Sequence, residues 1–180
     1  YMNQSKYYDF IVIGGGLAGV CCAIAAARND VKTALIQERP VLGGNSSSEI
    51  RVAPNGQVYV NAWTMETGII EEILLKDRAQ NHCQFSCTGK SNSMYDLNLY
   101  NLVKQQENLD LYLNTQVRKV DSNSITNSKY EKKINAIYAS QQGSEKEIVF
   151  RALQYADCTG DGTVGYLAGA EYRYGREARS

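Results

Sequence analysis

Short apolar runs alternate with longer mixed stretches along this chain, and the rhythm changes twice. Phe10-Ile11-Val12-Ile13 is continuously apolar, as a strand buried on both faces requires. Leu17, Val20, Ile24 and Ala27 then recur at helical spacing, and Thr33-Ala34-Leu35-Ile36 forms a second apolar run. The spacing predicts strand, helix, strand: one βαβ unit over residues 9–38. Ile70, Ile73 and Leu74 mark one side of a helix over 68–80, with Thr67 as its cap. Leu99, Tyr100 and Val103 mark another, capped by Asp96. The alternation in Leu109-Asp110-Leu111-Tyr112-Leu113 predicts a third parallel strand. From 117 to 150 the pattern becomes strand, turn, strand, turn, strand, over 117–126, 134–141 and 147–150. A further strand over 153–157 runs into a glycine turn and a short helix bearing Val164, Leu167 and Ala168. Residues 52–65, with Pro54, Asn55-Gly56 and Trp63, read as an irregular excursion or hairpin, and 81–95 show no period.

The turn between the first strand and helix is Gly14-Gly15-Gly16-Leu17-Ala18-Gly19, so Gly14, Gly16 and Gly19 fill the three places of a dinucleotide fingerprint. Gly14 allows the sharp turn, Gly16 keeps the backbone open to a diphosphate, and Gly19 allows close helix–strand packing. The amides at the helix start, Leu17 and Ala18 among them, would face the phosphates. Glu38 follows the second strand at the distance where a ribose-binding acid belongs. Its carboxylate would accept from ribose hydroxyls and repel a 2′-phosphate. A glycine turn alone is common. Here strand, turn, helix, strand and acid are in register, and the stretch reads as a dinucleotide site.

Composition narrows the partners. Nineteen basic residues balance nineteen acidic ones, so no global field attracts nucleic acid or an anionic membrane, and the charged run at 129–133 reads as a solvated hairpin. No apolar run approaches the length of a membrane-spanning helix. The length suits one domain over 1–180. Cytoplasmic location is the expectation, with an upstream signal segment left open. The five cysteines are Cys21, Cys22, Cys83, Cys87 and Cys158, scattered and odd in number, and are read as reduced structural thiols. His82, Cys83 and Cys87 make an incomplete zinc set, and Asp157, Asp161 and Gly162 lack the closing acid of a calcium loop.

After Glu38 the chain reads Arg39-Pro40-Val41-Leu42-Gly43-Gly44-Asn45-Ser46-Ser47-Ser48-Glu49-Ile50-Arg51. A second glycine pair so soon after the acid resembles the FAD-dependent oxidoreductases of the glutathione-reductase-like superfamily. Residues 43–51 resemble a bacterial group labelled FAD-dependent oxidoreductase. Leu153-Gln154-Tyr155-Ala156-Asp157-Cys158-Thr159-Gly160-Asp161-Gly162 resembles the Ala-Thr-Gly motif of the same domains, with Cys158 replacing the alanine.

The resemblance implies a Rossmann-like three-layer FAD/NAD(P)-binding α/β domain: a parallel sheet with a three-stranded antiparallel crossover, ending before its last strand and substrate domain. It implies that Arg39, Gly43, Gly44 and Asn45 pass over the diphosphate, and that Val117 meets adenine through its main chain. Gly160 would approach the cofactor, and Asp161 would accept from a loop amide or a ribityl hydroxyl. Asn45 and serines stand where disulfide reductases carry a redox cysteine pair, so dithiol chemistry is not expected. The single histidine, His82, lies outside the loop that attaches flavin covalently in some relatives, so noncovalent FAD is expected. Residues 52–95 would form an insert over the flavin side. Arg51, Trp63, His82 and Tyr95 are conceivable substrate contacts, although each also suits a surface or packing role. The expected activity is hydride transfer from a small-molecule substrate to flavin. A nucleotide-binding module without turnover and an NAD(P) dehydrogenase on a plain Rossmann sheet stay open. Substrate, electron acceptor, catalytic residues and oligomeric state are not readable.

Overall fold

The computed structural model describes residues 4–54, 67–82, 91–125, 132–144 and 146–176. Asn55-Gly56, Trp63, Cys83, Cys87 and the turn expected at 127–129 lie outside the described residues. The elements are β1 (Gln4–Ile13), α1 (Leu17–Arg28), β2 (Thr33–Ile36), α2 (Ile69–Gln80), α3 (Ser93–Lys104), β3 (Leu109–Tyr112), β4 (Thr115–Ser124), β5 (Lys132–Gln141), β6 (Lys146–Asp157) and α4 (Thr163–Leu167).

All six strands join one sheet in the order β3-β2-β1-β6-β5-β4. β3, β2, β1 and β6 run parallel, and β4, β5 and β6 pair antiparallel. Two apolar cores lie on either side of the parallel part. One joins Val12, Leu35 and Leu109 to Val20, Ile24, Leu99 and Val103 of the helices. The other joins Ile11, Ile13, Ala34 and Ile36 to Val117, Ile137, Ala139, Ile148 and Phe150. The fold therefore has three layers: helices, parallel sheet, and antiparallel crossover.

A shared bend lets one hydrogen-bonded sheet serve as two layers. Tyr8 and Ile11 face the same core despite their odd spacing. Between them the amides of Asp9 and Phe10 both donate to the Lys32 carbonyl, at 3.0 and 3.2 Å, as in a bulge. β6 changes side at the same level, where Leu153 is 77% exposed while Phe150, Ala152 and Tyr155 face the common core. The paired strands turn together, and the crossover folds back over the parallel strands.

Several expectations are corrected. Residues 147–150 and 153–157 are one strand, β6, because the bend keeps the chain hydrogen-bonded to β1 throughout. Thr67 is not a cap: Gly68, at φ 71°, precedes α2 without a side-chain cap. α3 begins before Asp96, capped by Asn92, whose Oδ1 accepts from the amides of Met94 and Tyr95 at 3.1 Å. Tyr100 is exposed, and Tyr95 and Leu102 complete the buried face with Leu99 and Val103. The β1 strand also starts earlier than the apolar run, since Gln4 to Tyr8 pair with β6.

The helices are held chiefly by their apolar face. Arg28 and Glu72 join α1 to α2 at 2.7 and 2.8 Å, but both side chains are 40% exposed, and such pairs contribute about 0–1 kcal/mol. Among the described residues no helix is long and apolar enough to cross a membrane. Phe150 is fully buried between the layers, its ring edge-on to Tyr112 at 4.9 Å. Phe150→Ala is expected to cost about 3–5 kcal/mol in urea unfolding, whereas Leu153→Ser, at the exposed bend, should stay within about 0.5 kcal/mol.

Candidate cofactor site

Three turns converge at the carboxyl ends of β1, β2 and β6. The Gly14 amide donates to the Ile36 carbonyl and the Cys158 amide to the Ile13 carbonyl, both at 2.8 Å. Gly14 adopts φ 100°, and a Cβ there would lie 2.5 Å from the Cys158 carbonyl oxygen. Only glycine meets both demands. A Cβ on Gly19 would collide with the Gly14 carbonyl oxygen, so α1 rests directly on the turn. Gly16 differs: a Cβ there meets nothing within 4 Å, because the position faces open space. α1 begins at the next residue with no acid in its first turn. Its leading amides and positive dipole end point into that space.

The second turn follows β2. Gly43, at φ 106°, donates its amide to the Gly15 carbonyl at 2.8 Å and bridges Gly16. Gly44–Ser46 then make one turn of 3-10 helix. Although rich in glycine and serine, this loop is firmly held. Asp96 on α3 is buried and accepts from the Ser48 amide at 2.9 Å and hydroxyl at 2.5 Å. The Tyr95 hydroxyl pairs with Ser46 Oγ at 3.1 Å, and Ser46 Oγ donates to the Gly43 carbonyl at 2.9 Å. On its far side α3 is fixed to α2, where buried Asp77 accepts from Asn98 at 3.0 Å and Asn81 at 3.1 Å.

The third turn leaves β6. Asp157 accepts from Thr159, through its amide at 3.0 Å and its hydroxyl at 2.6 Å, and from the Gly165 amide at 2.9 Å. The Thr159 hydroxyl in turn accepts from the Thr163 amide at 2.8 Å. Asp157 thus holds this loop, and Asp161 is exposed on the wall of the cleft.

These turns enclose a cleft of about 860 Å³. Gly14, Gly16, Leu17 and Ala18 line one side, Glu38, Arg39, Gly43, Gly44 and Asn45 the next, and Val117, Gly160 and Asp161 the remainder. Of the expected site residues only Gly19 stands behind the wall, where it sets the helix against Gly14. Glu38 is exposed, and Arg39 pairs with Glu49 at 3.3 Å. The cleft is also lined by Ser46, Thr115, Gln116 and Thr159, which stand in the expected motifs, and by Gln37 and Thr163, which sequence reading passed over. For Gln37 a signal existed: an uncharged polar residue ends a run buried at every position.

Arg51, His82 and Tyr95 do not line the cleft. Arg51 sits at φ 64° with its Nε donating to the Ser48 carbonyl at 3.0 Å. Tyr95 is buried, and burial pushes its phenol up to about 12. Burial likewise pushes the Cys22 and Cys158 thiols up, so both stay protonated at neutral pH, as structural thiols do.

The amide-rich, acid-free helix start, the open face of Gly16 and a carboxylate at the end of β2 fit the diphosphate and ribose of a dinucleotide. The class is that of a Rossmann-like dinucleotide-binding protein. The family model for FAD dependent oxidoreductases matches residues 9–180, and the chain belongs to that family, whose cofactor is FAD. It is 34% identical over 70 residues to a glycerol-3-phosphate dehydrogenase of Mycobacterium leprae, covering 39% of this chain and 12% of that protein. It is 29% identical over 76 residues to the human mitochondrial glycerol-3-phosphate dehydrogenase, covering 42% and 10%. The chain therefore spans only about an eighth or less of those relatives. A similar fold occurs in a geranylgeranyl bacteriochlorophyll reductase-like protein of Thermoplasma acidophilum, with TM-score 0.60 at 18% identity over 93% of this chain and 43% of that one. THI4 of Thermovibrio ammonificans has TM-score 0.55 at 14% identity, over 92% and 64%.

The two glycines of the first turn should separate stability from binding. Gly16→Val adds bulk only to the open cleft, so FAD affinity should drop while urea stability stays within about 0.5 kcal/mol. Gly19→Ala strikes backbone that cannot yield and should cost about 3 kcal/mol or more. Tyr95 gives a pH test. Its raised folded value means that its contribution is complete below pH 10 and is lost as pH rises toward about 12. Unfolding free energies measured across that interval should fall less steeply for Tyr95→Phe than for the unaltered protein.

Proposed function

We propose that this chain is the FAD-binding part of a flavin-dependent dehydrogenase that removes a hydride equivalent from a small-molecule substrate. The observation that carries this is the meeting of the Gly14, Gly43 and Cys158–Gly160 turns around one cleft. A plain NAD site has no need of the second and third turns so arranged. Backbone amides from Gly16 onward would hold the diphosphate, with the α1 dipole adding to the attraction. Gly44 and Asn45 would close over the same group from the opposite loop. Glu38 would accept hydrogen bonds from the adenosine ribose, and the edge formed by Gln116 and Val117 would lie against adenine. Asp161 and Gly160 would border the ribityl chain. Bound FAD supplies the two-electron acceptor, and the protein supplies orientation and electrostatics. In these roles the residues described here bind and align the cofactor.

The matched dehydrogenases carry glycerol-3-phosphate in their names, but this chain aligns with a small share of their length, so the substrate class stays open in this proposal. Purified full-length protein is expected to retain yellow flavin or to take up FAD, and to bind NAD far more weakly in a parallel titration. A colourless protein that ignores FAD and binds NAD would overturn the reading. Glu38→Ala should weaken FAD by about 1–3 kcal/mol, the cost of a lost charged hydrogen bond, measured by flavin fluorescence titration.

A further inference from the structure

We infer that Gln37 is a positioning residue that sets the width of the diphosphate slot; the inference rests on the FAD reading above. Gln37 follows directly on β2 and is 5% exposed. Its Oε1 accepts from the Gly15 amide at 2.8 Å, and its Nε2 donates to the Val41 carbonyl at 3.1 Å. Both partners are main-chain groups of fixed polarity, so the amide can be oriented only one way. Its own main chain donates to the Tyr112 carbonyl at 2.8 Å and accepts from the Thr115 amide at 2.9 Å. One side chain therefore joins the first glycine turn to the second loop, while its backbone anchors the junction to β3 and β4.

This has a chemical consequence for the site. The Gly15 amide is taken up by Gln37, so the amides left for a phosphate begin at Gly16. The Gly43 amide on the Gly15 carbonyl, at 2.8 Å, is a second tie between the same two loops. Together the two ties close a ring that holds Gly16 opposite Gly44. There is no slack in it: a Cβ on Gly15 would lie 2.9 Å from Gln37 Cβ and 2.7 Å from Leu42 Cδ2. Leucine at 37 would preserve much of the volume but leave the Gly15 amide and Val41 carbonyl unpaired. Glutamate would still accept from Gly15, yet could donate to Val41 only when protonated.

The test compares the full-length protein with Gln37→Leu and Gln37→Glu. FAD dissociation constants come from flavin fluorescence, and melting temperatures from the FAD-free proteins. Gln37→Leu is expected to bind FAD about tenfold more weakly. Gln37→Glu should bind weakly at neutral pH and regain affinity as pH falls through the titration of its carboxyl. The neighbouring charges of Glu38 and Arg39 are common to all three proteins, so the unaltered protein's pH profile serves as the baseline. Where Gln37→Leu fails to fold, the Gln37→Glu series decides alone. Unaltered FAD affinity in the variants would overturn the inference, and so would weakened affinity in Gln37→Glu that shows no recovery at low pH. Absence of FAD binding by the unaltered protein would remove the FAD reading, and the inference with it.

Discussion

The carboxyl edge of the sheet is organised by a contact with no room for a methyl group. β1 ends where its last carbonyl receives the Cys158 amide and where the next amide reaches across to Ile36. At that junction Gly14 lies against the Cys158 carbonyl and Gly19 lies against Gly14. Strand β6 can reach the first turn only because neither glycine has a side chain. The consequence is geometric: helix start, second loop and third turn are all placed within one cleft by backbone packing, before any side chain contributes chemistry.

This explains which parts of the molecule were legible in the sequence. Gly14 and Gly19 have no substitutes in those positions and Gly16 leaves the cleft open, so their spacing declares the turn, and the apolar runs on either side declare β1, α1 and β2. Glu38, Gly43, Gly44 and Gly160 could be placed because they follow strand ends at short range. What failed was local bookkeeping at element ends. Asp96 looked like a cap because it precedes an apolar stripe, whereas Asn92, four residues earlier, has the side-chain oxygen directed at the helix amides and the extended backbone that capping requires. The break between 150 and 153 looked like a strand end because the face alternation slips there. Two bonded strands slipping together preserve their pairing, and no one-dimensional pattern distinguishes that from a turn.

The long-range polar contacts were not legible at all. Nothing near Ser48 announces that it meets a carboxylate on α3, and nothing near Tyr95 announces Ser46. Yet these contacts convert a loop of glycine and serine, whose composition suits a flexible linker, into a rigid wall. A buried carboxylate is costly unless its oxygens are satisfied. Asp96 meets that condition with the amide and hydroxyl of one residue, so the loop must be seated for the charge to be tolerated. Stability of α3 and placement of the loop are thereby the same event.

Gln37 and Asp96 hold the second loop from opposite sides, and they do so by different physics. Gln37 is neutral and joins the buried Gly15 amide to the part-buried Val41 carbonyl, so its effect is specific to the spacing of the two turns. Asp96 is charged and grips the loop from outside the cleft, so its effect is general to the loop's folding. The proposed dinucleotide site asks for both: a wall held in place, and a gap of one definite width between Gly16 and Gly44. An apolar residue at 37 could support the wall by packing alone, but it could not fix the gap, because packing is indifferent to the direction in which the Gly15 amide points.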